Sequence, residues 1–269
     1  MKYILIVSIL VLSVTIASSQ NVGQKGDTLV NYSDINGFKQ GFWKKNYNDG
    51  TLKFEAYFVD DKPVGALKRY DKNGDLYAHL NYDEKGLHAS AIFFHNNGKY
   101  AAIGKYYGQI KDSIWKYYDE KGQLYLQESY KIGIKHGQFK QLSSEGICIE
   151  ETNYKEGIKH GPWIKNYTNG KLMWEANYVN GKLEGDAKAY FKNGKVYREG
   201  KYVNDYMEGG WLKYNETGNL EKVYQYKKGT SPESEKEKDE FMRKIEEGKD
   251  KYDGPSNAND LDWLRGGKR

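Results

Sequence analysis

The chain has 269 residues, 38% of them hydrophobic, and a mean hydropathy of −0.90, which is poor material for a single large globular core. Its 25 tyrosines and 6 tryptophans argue against disorder and point to shallow, aromatic burial. A formal charge of +5 is too slight a basic excess to indicate nucleic acid, and a single cysteine, Cys148, excludes an internal disulfide and any all-cysteine metal site.

Met1-Lys2, the apolar run Tyr3 to Ile16 and the small residues Ala17-Ser18-Ser19 have the basic start, apolar middle and small-residue exit of a cleavable signal peptide, residues 1–19. The run is short for a bilayer span, so the protein is expected to be secreted or to reside in the periplasm or cell envelope of a bacterium. Residues 20–36 carry no periodic pattern and read as an N-terminal lead-in.

Residues 37–229 are periodic. Gly50, Gly74, Gly98, Gly122, Gly146, Gly170, Gly194 and Gly218 recur every 24 residues, and an aromatic follows each one eight positions later, from Phe58 and Tyr82 to Tyr226. A fixed period of this length marks a stacked repeat, in which each unit buries its apolar face only against its neighbours. With positions counted from the repeat glycine, pairs such as Asp49-Gly50, Asn169-Gly170 and Asn193-Gly194 predict two-residue type I′ hairpin turns.

That turn fixes a register, and four columns agree with it. Position −9, mostly glycine from Gly41 to Gly209, faces the +8 aromatic, which would cover its bare backbone. Position −7, with Trp43, Trp115, Phe139, Trp163 and Trp211, faces +6, placing Trp43 over Ala56 and Trp163 over Ala176, although Trp115 meets Glu128 and Trp211 meets Tyr224. On the other face −6 meets +5 as Lys44–Glu55, Lys140–Glu151 and Lys188–Glu199, and −4 meets +3 as Tyr70–Tyr77, Tyr118–Tyr125, Tyr190–Tyr197 and Leu142–Ile149. The expected fold is all-β: an elongated single-layer antiparallel meander of eight 24-residue β-hairpin repeats with a C-terminal helical cap.

The cap is read from residues 230–269, a charged tail. Ser231-Pro232 and the pair Ser234 and Glu237 are helix-start signals, and Phe241, Met242 and Ile245 fall on one side of a helix to about Glu247. Leu261, Trp263 and Leu264 could add a small docking turn.

No arrangement of residues signals catalysis. His136 and His160 occupy the same phase of successive units, roughly 9 to 10 Å apart, too far to share a zinc ion. The glutamates Glu55, Glu151, Glu175 and Glu199 are likewise too widely spaced for paired-acid chemistry, and no phosphate loop, serine elbow or Cys/His dyad is present. The chain therefore reads as a non-enzyme with no metal, cofactor or small-molecule substrate. A single-layer sheet cannot bury both faces, so the column Trp43, Trp115, Phe139, Trp163 and Trp211 is at once the candidate core and the candidate partner-binding surface.

The unit Gly161-Pro162-Trp163, Asn169-Gly170-Lys171-Leu172, Glu175, Tyr178, Asn180-Gly181-Lys182 and Gly185 resembles the MORN repeat, in the variant form of many bacterial proteins that is often labelled the antitoxin component of a toxin-antitoxin system. The likeness covers Gly37 to Gly229; Asp61 and Asp205 stand where Gly181 would, and the third unit reads Ala89-Ser90-Ala91 in place of Gly-x-Trp. The resemblance implies a repeat scaffold. An extracytoplasmic scaffold binding a protein partner, a binder of membrane or envelope-glycan surfaces, and an antitoxin or immunity-like partner of a toxin are all compatible with it.

Overall fold

Each 24-residue unit folds as two strands with a glycine turn between them, and a second kind of turn leads to the next unit. In the computed structural model residues 29–231 are described; the predicted signal peptide, most of the lead-in and the predicted C-terminal helix and docking turn lie outside them. Among the described residues there are eighteen strands and no helix. Consecutive strands pair antiparallel, from Tyr32–Ser33 on Lys39–Asn46 to Tyr206–Tyr214 on Leu220–Tyr226, giving one open sheet in meander order. Strands Lys182–Leu183 and Gly185–Tyr190 both pair with Leu172–Val179, so Glu184 interrupts what is otherwise a single strand.

Three of the four predicted columns hold. The −9/+8 pairing is met throughout, from Gly41↔Phe58 and Gly65↔Tyr82 to Gly209↔Tyr226, with Ala89↔Tyr106 and Ser113↔Tyr130 in the same register. Trp43↔Ala56, Trp163↔Ala176, Lys44↔Glu55 and Lys188↔Glu199 follow as expected. The −4/+3 column does not: Tyr70 pairs with Leu76, Tyr118 with Leu124, Leu142 with Cys148 and Tyr190 with Val196.

The cause is the turn. At Gly50 the Tyr47 amide donates to the Thr51 carbonyl and the Gly50 amide to the Tyr47 carbonyl, and the same pair of bonds recurs at Gly170 and Gly218. Gly50, Gly170 and Gly218 have positive φ, whereas Asp49, Asn169 and Thr217 do not. These are type I turns closed by a left-handed glycine, three-residue loops with a bulge, rather than the predicted two-residue type I′ turns. The extra residue displaces the pairing nearest the turn by one position and leaves the rest of the hairpin in frame.

Type I′ turns do occur, half a repeat away on the opposite rim. Asp60-Asp61, Glu156-Gly157, Asn180-Gly181 and Asn204-Asp205 have positive φ at both positions and close two-residue loops such as Val59↔Lys62 and Lys155↔Ile158. The −9 glycines that follow them also have positive φ, 64° at Gly65 and 90° at Gly161, and mark register shifts in the strand. Glycine is needed there for a bulge, not only to receive a ring. In the third unit Ala89 has no positive φ, the strand His88–Phe94 pairs with Leu76–Tyr82 without a shift, and the extra residue moves into the loop between Asp83 and His88.

One face of the sheet is the core. Two apolar clusters lie along it: the first includes Leu67, Ala78, Phe93, Trp115 and Tyr117, the second Trp174, Ala187, Tyr202, Trp211 and Tyr224. Between them the same face carries the buried polar residues Glu128, Thr152 and Lys165. Each fully covered ring contributes on the order of 2–3 kcal/mol by burial.

Candidate interaction surface

The aromatic column is filled by the chain itself. Trp115 is 0% exposed and lies flat on Gly104 of the preceding strand, donating its indole N–H to the Lys105 carbonyl at 3.0 Å. Trp211 repeats the arrangement on Gly200, with its N–H on the Lys201 carbonyl at 3.1 Å. Trp43, Phe139 and Trp163 are half-buried. The Trp43 indole donates to the Tyr32 carbonyl, tying the first short strand to the sheet, and that of Trp163 donates to Glu150 Oε1 at 2.8 Å. The small residues that receive Trp115 and Trp211 therefore belong to the preceding unit, not to the +6 partner of their own hairpin.

A lysine at position −11 closes each of four aromatic pairs. Lys39 Nζ stands 5.5 Å from the Trp43 ring centre and 5.3 Å from Phe58; Lys111 is 4.8 Å from Trp115 and 5.6 Å from Tyr130. Lys135 is 5.6 Å from Phe139 and 5.4 Å from Tyr154, and Lys159 is 5.5 Å from Trp163 and 5.0 Å from Tyr178. In the last unit, where −11 is Met207, the Arg198 guanidinium takes this place over Trp211 and Tyr226. Such cation–π contacts stabilise by about 0.5–2 kcal/mol each, more when desolvated. This lysine column is absent from the sequence-based candidates, yet its signal was present: Lys39, Lys111, Lys135 and Lys159 share one phase of the repeat.

Lys135 also meets a charge. Its ammonium is 2.6 Å from Glu128 Oε1, and the Tyr130 hydroxyl donates to Glu128 Oε2 at 2.7 Å, so this buried carboxylate is held by two partners. Burial pushes the neighbouring phenols up, Tyr106 and Tyr178 to about 12 and Tyr117 and Tyr202 further still.

The glutamate column on the opposite face is structural as well. Lys140–Glu151 and Lys188–Glu199 form ion pairs at 3.5 and 3.0 Å, whereas Glu55 pairs with Lys68 at 3.4 Å rather than with Lys44 opposite it. Tyr70, Tyr190 and Tyr214 donate to Glu55, Glu175 and Glu199. The Tyr214 hydrogen bond, with Lys188 behind it, lowers the Glu199 pKa against the effect of burial. Cys148 is half-buried, and burial raises its thiol pKa.

His136 and His160 serve the type I′ rim. Their Nδ1 atoms accept the backbone N–H of Glu156 and Asn180 at 3.4 and 3.5 Å, the role filled by Asp112 for Ile132, Glu184 for Asn204 and Glu208 for Lys228. The backbone N–H of Ile132 also lowers the Asp112 pKa. Each turn is stitched to the one before: the amides of Gly133, Gly157 and Gly181 donate to the carbonyls of Lys111, Lys135 and Lys159, all at 2.8 Å. Among the described residues no group of three His, Cys, Asp or Glu could hold a metal ion.

The stitched rim presents an apolar ridge. Ile110, Ile134 and Ile158 recur every 24 residues, each about half exposed, and each lies against the glycine of the next turn, Gly133, Gly157 and Gly181. Ile132 joins them, half exposed at φ 47°. A β-branched residue in the left-handed region is strained, and the equivalent positions of later units carry Asn180 and Asn204, which tolerate it.

Among protein families, the model described as MORN repeat variant matches residues 63–84, 111–131, 159–180 and 183–204. Each match begins at position −11 and encloses one glycine turn. No curated protein matches the chain.

Proposed function

The chain is a MORN repeat protein, and from that premise we propose that it is a non-enzymatic extracytoplasmic scaffold of eight units whose type I′ rim binds a protein partner. The observation that carries this reading is Ile132. Its strain persists at a site where it packs little surface of its own fold, and strain of this kind is retained where a side chain is needed for something else. With Ile110, Ile134 and Ile158 it forms a row of anchors at a pitch of about 10 Å, two strand spacings per unit. The apolar leader before Ser19 supports export, and the side chains that could do chemistry are engaged in holding turns and rings together.

The test compares the native chain with an I132N/I134S/I158S variant in capture from envelope extract, with circular dichroism confirming that both are folded. Loss of a specific retained protein in the variant is expected; equal capture by both would reject the ridge. Lys131 and Lys155, both exposed, lie beside the same rim, which favours an anionic membrane surface as the second reading. Salt-sensitive sedimentation with phosphatidylglycerol vesicles, and no retained protein, would select it. A retained toxin would instead identify the antitoxin-like role.

A further inference from the structure

The third and fourth units depart from the repeat together, and a hollow lies where they meet. Their −9 residues, Ala89 and Ser113, are the two in that column that are not glycine. Strand His88–Phe94, with Ala89, runs beside Leu76–Tyr82 without a shift, whereas Ser113 keeps the bulge at φ 59°, a left-handed conformation held without glycine. Strain of this kind gathers at functional sites. Both residues line a concavity of about 520 Å³, within the size range of small-ligand sites.

A transverse row of polar residues crosses it. Register sets Asn81 opposite Ser90, Ser90 opposite Lys105 and Lys105 opposite Asp112, so the four share one face over roughly 14 Å. Asp83 and His88, two positions from Asn81 and Ser90, fall on the same side by strand alternation. In other units this row is engaged in the fold: Lys201 pairs with Asp186 opposite it at 3.7 Å, and Gln138 donates to Glu151. Lys105 faces Ser90 instead of an acid. Among the described residues the side chains of Asn81, Ser90 and Lys105 have no hydrogen-bond or ion-pair partner, and the His88 imidazole leans on the Tyr107 ring at 5.1 Å.

The hollow holds acceptors as well. Asp83 accepts the Leu87 amide, and Asp112 accepts the Ile132 amide and the Ser113 hydroxyl. These amide bonds lower both pKa values, and the nearby His88 lowers them further, so each carboxylate is ionised and keeps lone pairs to offer. That mixture selects the ligand. An anion would meet two carboxylates, an apolar molecule would strand the polar groups, and no set of three ligating groups awaits a metal ion among the described residues. A sugar hydroxyl accepts from an ammonium or amide and donates to a carboxylate.

We propose that this hollow binds a neutral saccharide ring, with Asn81, Ser90 and Lys105 donating to its hydroxyl oxygens and Asp83 and Asp112 accepting from its hydroxyl groups. The site uses none of the isoleucines of the rim, so it stands or falls apart from protein binding there.

The experiment is heteronuclear NMR of the full chain titrated with the methyl glycosides of glucose, galactose, mannose and N-acetylglucosamine, and with acetate and glycine as probes of an ion or zwitterion site. Saturable shifts at the amides of Ser90, Lys105 and Asp112 with at least one glycoside are expected. Lys105→Met should weaken that binding about tenfold and Ser90→Ala by less, with circular dichroism confirming that both exposed-site variants are folded. No response to any glycoside, undiminished binding in both variants, or tighter binding of acetate or glycine would overturn the proposal. An immobilised oligosaccharide array separates the sources: retention on chains ending in the same sugar identifies a glycan end, and retention on none identifies a free sugar.

Discussion

The Trp115 ring lies directly on the Cα of Gly104, so closely that a methyl group on that glycine would fall inside the indole. Gly104 has no positive φ, so its lack of a side chain serves the ring rather than the backbone. Gly104→Ala should therefore destabilise by about 1–3 kcal/mol through overpacking, and Gly200→Ala, under Trp211, by a similar amount. Gly210→Ala is the control: its nearest neighbour is the Gln225 side chain at 3.6 Å, and it should be near-neutral. Denaturant unfolding of the three variants checks the contrast.

The two rims should respond oppositely to substitution. Gly170, at φ 79°, closes a type I turn, and Gly170→Val should cost about 1–2 kcal/mol or more. Ile132→Asn, at φ 47° on the other rim, should instead raise stability by up to about 1 kcal/mol. Thermal melts that moved together would refute the assignment of strain.

Removing Lys135 should be far costlier than removing Lys140. Lys135→Ala leaves the buried Glu128 with only the Tyr130 hydroxyl, a loss of about 3 kcal/mol, whereas the more open Lys140–Glu151 pair contributes about 0–1 kcal/mol. Urea titrations at low and high salt would distinguish them, because only the Lys140 effect should fade with salt.

Alkali should unfold the sheet before it ionises the core phenols. Tyr106 and Tyr178 are raised by burial from an ordinary value of 10.0 to about 12, so the neutral form is favoured in the folded chain. Their contribution to stability is complete below pH 10 and is lost as pH rises from there toward 12. Phenolate absorbance followed alongside circular dichroism should show a late group of tyrosines appearing with the loss of β-structure. Y106F/Y178F should make stability less sensitive to pH in this range.

The hairpin frame was legible because two independent complementarities, ring against glycine and tryptophan against alanine, demand the same register. The turn was not. Asn-Gly satisfies a type I′ turn, in which both residues are left-handed, and equally a type I turn whose last residue alone is left-handed; Lys121-Gly122, Glu145-Gly146 and Thr217-Gly218, which keep only the glycine, were the clue to the second. The supports of Trp115 and Trp211 are not legible from pairing within one hairpin, because these rings lean onto Gly104 and Gly200 of the preceding unit. The lysine clamps are hard to read in Lys135-His136-Gly137 and Lys159-His160-Gly161 because the lysines act on rings four and nineteen positions further on, whereas the adjacent imidazoles accept turn amides.

The difference between the rims has an evolutionary corollary. Along one border all eight turns demand the same residue at their last position, leaving little freedom to change. Along the other, a left-handed pair is accommodated by Asp60-Asp61, Ile132-Gly133, Glu156-Gly157 and Asn204-Asp205 alike, because side chains from the adjoining strand and carbonyls from the previous turn hold the backbone in place. Novelty can accumulate on that border at a cost to folding of about 1 kcal/mol or less, as at Ile132, so diversification of what such ribbons recognise should be written almost entirely on one side.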